Sequence, residues 1–179
     1  MEKRGTILPY KNLFPKIDTS SFIAPGAYII GDVTIGKQCG IWFNSVIRGD
    51  VNPVTIGDFT NIQDGTVIHV TRKTAPTHIG SYVTIGHKAL LHGCTVQDYA
   101  FIGMGSIILD KAIIESYGMV AAGAVITPGK VVKKGELWAG NPGKLLRNLT
   151  DDEMKFFETS AENYRLHVEE YLEILNNLS

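Results

Sequence analysis

The chain has 179 residues, enough for one domain with at most a short appendage, and 44% of them are apolar, enough for a sizeable core. Its 17 basic and 18 acidic residues leave a net charge of −1, without the basic excess that nucleic-acid or anionic-membrane binding calls for. No apolar stretch approaches the roughly 20 residues needed to span a bilayer, and no signal-type segment follows Met1-Glu2-Lys3-Arg4-Gly5, so a cytoplasmic protein with no nucleic-acid or membrane partner is expected.

Residues 1–22 carry few repeats and are expected to strap one end of the repeat region. From Ile23 a period of six takes over. Apolar anchors run through Ile23, Ile29, Ile35, Ile41 and Ile47, then Ile56, Ile62 and Ile68, then Ile79, Ile85 and Leu91. A fourth run continues through Val96, Ile102, Ile108, Ile114, Val120, Ile126 and Val132. An α-helix scatters a period of six around its axis, so these are not helical positions. Two residues before the anchors sits a column of smaller side chains such as Ala27, Cys39, Ser45, Thr60, Thr66, Ala89, Cys94 and Ala100. Alternating large and small inward residues suit a narrow tube, and both cysteines are thereby expected to be core filler. Each repeat reads as one short strand plus a corner, with three repeats to a triangular coil and parallel pairing between coils about 4.8 Å apart. The eighteen anchors predict about six coils over 23–137. Glycine follows several anchors (Gly36, Gly57, Gly80, Gly86, Gly103), where a tight corner wants φ > 0 or no side chain.

Residues 138–179 form the last segment, an irregular turn over Trp138–Lys144 and then a helix. Thr150-Asp151-Asp152-Glu153 reads as a capping box, and Tyr164, Val168, Tyr171, Leu172 and Leu175 form one apolar face. That face is expected to pack along the prism or on a neighbouring subunit.

The period breaks three times: nine residues from Ile47 to Ile56, eleven from Ile68 to Ile79, five from Leu91 to Val96. Insertions into a solenoid tend to form loops on the functional side. When each break counts as one repeat, Ile47, Ile68 and Leu91 are the fifth, eighth and eleventh anchors, on one face in successive coils. Arg48, His69 and His92 come directly after them, so His69 and His92 are expected to stack one coil apart, at a spacing that suits two cis ligands of one metal ion. Gln63 and His87 come after anchors on a different face and cannot easily reach that edge within one prism. A threefold trimer resolves this, with His69 and His92 from one chain and His87 from the next. Three imidazoles leave a fourth position open, as at catalytic zinc sites; iron and cobalt also suit them. His78, in the eleven-residue interval, and His167, on the terminal helix, are read as ordinary solvated histidines.

Arg48-Gly49-Asp50, Asn61-Ile62-Gln63-Asp64-Gly65, His69 and Gly86-His87-Lys88-Ala89-Leu90-Leu91-His92-Gly93 resemble the γ-class carbonic anhydrases and their close relatives among the hexapeptide-repeat proteins. Ser160-Ala161-Glu162-Asn163-Tyr164 is similar to the tail segment of the bacterial members. The resemblance covers nearly the whole chain, and the three-histidine spacing is its specific part. It implies an all-β fold, a left-handed parallel β-helix with a C-terminal α-helix; left-handed winding is an exception to the usual crossover rule. It implies His69, His87 and His92 as metal ligands, with Gln63 bonded to the metal's water or substrate and Asn61 in the wall around it. Arg48 and Asp50 are implied to pair at the subunit interface with Asp64 in the same network, and Tyr164 to reach the site from the helix.

The implied reaction is reversible hydration of CO2 to bicarbonate by a metal-bound hydroxide, in a zinc-dependent homotrimer. The chain departs from the best-characterised type at Val51, where that type has a glutamate, and in the Val70–Thr77 segment, which has no carboxylate to shuttle protons. Two other readings stand beside it. One is an acyl-CoA-using transferase or thioester hydrolase, whose Trp138-x-Gly140-x-Pro142-x-Lys144 segment with Arg147 is shared and does not discriminate. The other is a non-catalytic metal-binding trimer.

Overall fold

A computed structural model describes residues 4–177; residues 1–3 of the expected strap and 178–179 of the last segment lie outside the described residues. The chain winds as a parallel β-solenoid closed by one C-terminal helix. Strand pairing reproduces the three anchor columns. Ile23, Ile41, Ile62, Ile85, Ile102 and Val120 align on a first face. Ile29, Ile47, Ile68, Leu91, Ile108 and Ile126 align on a second, and Ile35, Ile56, Ile79, Val96, Ile114 and Val132 on a third. These anchors and the smaller column, Cys39 and Cys94 included, are buried along the tube axis. Burial pushes both thiols up, Cys39 to about 11 and Cys94 to about 12, so neither is a ready nucleophile.

The repeat runs one step further at each end. Ile17, six before Ile23, pairs with Ile35, and Thr6–Leu8 pairs in parallel with Tyr28–Ile30, so these N-terminal strands extend the sheet. Trp138, six after Val132, pairs with Val120, and the first face therefore carries seven parallel strands rather than six. Trp138 fills an anchor position with a side chain that does not look like its β-branched predecessors. The expected irregular turn narrows to residues 140–143, between this strand, Glu136–Ala139, and Lys144–Asn148, which returns antiparallel to it.

The corners also differ from expectation. The backbone turns left-handed three residues before an anchor, often without glycine: Asn44, Phe59, Tyr82, Lys88, Tyr99 and Tyr117 all have positive φ. Four of these rings stack one per coil, with centroids 4.8 Å (Phe59–Tyr82), 4.8 Å (Tyr82–Tyr99) and 5.0 Å (Tyr99–Tyr117) apart. The glycines after anchors serve close approach instead. A Cβ at Gly86 would meet Met104 N at 2.6 Å, and one at Gly103 would meet Ala122 N at 2.4 Å.

The first break is not a loop: Val46–Ile56 is one continuous strand that bends from the second face to the third. The second is a short hairpin closed by Thr71 N donating to Ala75 O, 2.9 Å. His78 emerges from it within the strand Thr77–Ile79, its Nδ1 2.8 Å from Thr55 Oγ1.

The helix α1 (Asp151–Asn177) starts on the expected capping box. Thr150 N donates to Glu153 Oε2 (2.9 Å) and Glu153 N to Thr150 Oγ1 (3.2 Å). It packs on the first face of its own chain, where Val168 is buried with Phe22, Ala24 and Trp42 and is flanked by Tyr164, Tyr171, Leu172 and Leu175. No helix is long and apolar enough to cross a membrane among the described residues.

Candidate metal centre

His69 and His92 end the strands Val67–His69 and Leu90–His92 and face each other directly across the sheet. Their ring centroids lie 5.2 Å apart, and the rings tilt until His69 Nδ1 and His92 Nε2 are 3.2 Å apart. Two nitrogens at the tetrahedral angle on a zinc ion, with Zn–N of 2.0–2.1 Å, lie about 3.3 Å apart. The spacing of this pair therefore fits two ligands of one ion.

The outer nitrogens are each tied to a carboxylate from a flanking coil. His69 Nε2 lies 2.9 Å from Asp50 Oδ1, and His92 Nδ1 lies 2.6 Å from Asp110 Oδ1. A carboxylate accepts, so the proton of each neutral imidazole sits on that outer nitrogen. The two inner nitrogens then point lone pairs at one another, an arrangement that a cation between them stabilises. Burial opposes ionisation of Asp50, but the bonds from His69 and Arg48 and the Arg48 charge prevail and hold its carboxyl below the usual range. Asp110 behaves alike: burial raises it, and the bonds from the Thr71 hydroxyl and from His92 more than compensate.

His87 sits at another corner, between the anchors Ile85 and Leu91, with its Nδ1 2.7 Å from Asp64 Oδ2. Its Nε2 has no hydrogen-bond partner among the described residues. Beside it on the first face Gln63 Nε2 donates to Asn61 Oδ1 (3.1 Å), and Asn61 Nδ2 donates to Thr84 Oγ1 (3.0 Å). Thr84 Oγ1 in turn lies 3.2 Å from Ser160 Oγ of α1, which ties the chain of amides to the helix. Tyr164 packs on Trp42 with centroids 5.8 Å apart, and burial together with the nearby Asp64 charge raises its phenol.

The named residues thus fall into two groups. Arg48, Asp50, His69 and His92 cluster at the corner between the second and third faces; Asn61, Gln63, Asp64, His87 and Tyr164 lie on the first face and its corner with the second. A single chain gathers no set of three metal-binding side chains among the described residues. Val51 is partly buried and packs against the core. Sequence reasoning did not single out Asp110 and Thr71. Asp110 was within its reach: Ile108 is three anchors after Leu91, so the carboxylate two residues beyond it had to lie one coil from His92. Thr71 was not, because its place depends on the hairpin.

A family model described as bacterial transferase hexapeptide (six repeats) matches residues 14–49. The chain is 47% identical over 169 residues to the mitochondrial γ carbonic anhydrase 1 of Arabidopsis thaliana, covering 92% of this chain but only 62% of that protein's length. It is 44% identical to a carbonic anhydrase of Geobacillus kaustophilus, covering 88% of this chain and 86% of that one. A solved hexapeptide transferase family protein from Anaplasma phagocytophilum superposes with a TM-score of 0.90 at 49% identity, covering 93% of this chain and 98% of the other.

Proposed function

The chain belongs to the γ-class carbonic anhydrase-like family of hexapeptide-repeat proteins, and from that premise we propose that it is a metal-dependent lyase that hydrates CO2 reversibly to bicarbonate at a site shared between subunits of a homotrimer. The observation that carries this reading is the pair of carboxylate-backed imidazole nitrogens 3.2 Å apart. His87, backed by Asp64, is the third ligand, supplied by the neighbouring chain. Zinc suits this all-nitrogen set, with iron and cobalt as the other candidates. A divalent ion held there by His69, His92 and the neighbouring chain's His87 would supply the Lewis acidity that activates water for attack on CO2.

The protein's own residues do the rest. Gln63, its amide nitrogen committed to Asn61, keeps its carbonyl oxygen to accept from water or bicarbonate. Arg48 offsets the Asp50 charge. Tyr164, its phenol raised, stays protonated at neutral pH and so can donate a hydrogen bond.

The trimer has a surface to form on. The outward residues of the second face, Tyr28, Val46, Val67, Leu90, Ile107 and Val125, align in one apolar stripe. Tyr28, Val67 and Leu90 are exposed at 43%, 38% and 37%. The stripe lies between the His69/His92 corner and the His87 corner. Packing three such faces about a threefold axis brings one corner of each chain to the other corner of its neighbour.

Metal analysis of the purified oligomer and stopped-flow CO2 hydration, run beside an assay for CoA-thiol release, test the reading. Bound zinc with hydration supports it. Thiol release without hydration moves the chain to the CoA chemistry of the alternative reading. Metal with neither activity leaves a binding trimer, and no metal even after reconstitution removes the site altogether.

A further inference from the structure

We infer that Asp110, oriented by Thr71, is a positioning residue of the metal edge that selects the tautomer in which His92 offers Nε2 to the ion. The inference rests on the metal site proposed above. Asp110 leaves the strand Ile107–Ile108 one coil beyond His92, and its Oδ1 reaches His92 Nδ1 at 2.6 Å. The Thr71 hydroxyl donates to the other carboxylate oxygen, so both oxygens have fixed partners. Thr71 is itself anchored: its N donates to Ala75 O (2.9 Å), and its carbonyl accepts from Asn52 Nδ2 (2.9 Å).

The neighbouring backbone makes room for this contact. Gly93 turns left-handed at φ 59°, and a Cβ there would meet Asp110 Oδ1 at 2.7 Å. A side chain at 93 would displace the carboxylate from His92. The His92 and Asp110 side chains are 32% and 31% exposed. A charge-assisted contact at such exposure adds little to fold stability. Its use is orientation: a ligand imidazole held by a carboxylate keeps its tautomer and ring plane, and loss of such a partner typically weakens metal binding about 10–100-fold.

The test uses the full-length oligomer and zinc as the probe. Zinc affinity is measured by chelator competition for wild type, Asp110→Asn, Asp110→Ala, Thr71→Val and Thr71→Ser. The ring 15N–1H spectrum of His92 is recorded without metal. Asp110→Ala and Asp110→Asn are expected to weaken zinc binding about 10–100-fold, with assembly and melting temperature close to wild type. Thr71→Val is expected to weaken it by a smaller factor and Thr71→Ser to restore it. The wild-type spectrum should place the His92 proton on Nδ1, and both Asp110 variants should lose that preference. A wild type that binds zinc while both Asp110 variants bind within about twofold of it overturns the inference alone. A wild type that binds no zinc overturns the site reading and this inference with it. If Asp110→Ala does not fold, the near-isosteric Asp110→Asn decides.

Discussion

In the proposed arrangement, a His69→Ala chain and a His87→Ala chain each lack one ligand of every site they can build alone. Co-refolded in equal amounts, they are expected to restore some sites. Each interface draws one corner from one chain and the other corner from its neighbour. It is complete only when the His87→Ala chain supplies His69 and His92 and the His69→Ala chain supplies His87. With random assembly that happens at about one quarter of all interfaces, which is about one intact site in each mixed trimer and about 0.75 zinc per trimer averaged over the population, against about 3 in wild type. Zinc per trimer by elemental mass spectrometry reads the number directly, and native mass spectrometry confirms that mixed trimers formed. CO2 hydration should recover in the same proportion. The separation of His69 and His92 from His87 onto different corners is what makes the outcome sharp. A site built within one chain gives no recovery, because every chain is then defective. Verified mixed trimers with no zinc above the parental variants would refute the intersubunit arrangement.

Leu90→Asp places a charge in the middle of the apolar stripe, beside Val67 and Ile107, while its neighbour Leu91 stays in the core; sedimentation should show monomers with native circular dichroism and little bound zinc. Ile102→Ala empties a fully buried anchor between Ile85 and Val120, and calorimetry should register a loss of about 2–5 kcal/mol. Glu153 is held at about 2, below its ordinary 4.5, by the Arg147 guanidinium and the Thr150 backbone. A depressed carboxylate stabilises the fold above its unfolded value and loses that contribution as pH falls through its folded value. Helicity at the start of α1 should therefore weaken between about pH 4.5 and 2, and Glu153→Gln should flatten that dependence.

The three columns were legible because a period of six admits only one kind of element, and because each break, whatever its length, counts as one repeat. That count alone placed His69 opposite His92. The ends were less legible. Ile17 and Trp138 keep the step of six, but Ile17 lies among residues with no other repeat signal, and an indole does not resemble the isoleucines before it. The left-handed corners were misplaced for a physical reason. Non-glycine residues seldom take positive φ, yet here stacked rings at Phe59, Tyr82, Tyr99 and Tyr117 occupy that conformation coil after coil. Nothing in one repeat signals that stack; it exists only between coils.

Spacing between coils also explains why the proposed site calls for a second chain. Side chains at equivalent positions of successive coils start about 4.8 Å apart, close enough for two imidazoles to tilt toward one ion. The corner column beyond this face reads Arg48, His69, His92, Leu109, one residue per coil. Only its two middle members can donate to a metal. The carboxylates next to it, Asp50 and Asp110, are committed to the outer nitrogens of those histidines. A straight prism cannot bend another corner around to the same point, so the remaining ligand has to approach from outside. His87 stands one corner away across the apolar stripe, with Asp64 on its Nδ1. A flat face that both buries itself on association and carries the two half-sites at its opposite margins couples assembly to metal binding: zinc and trimer should therefore be lost together.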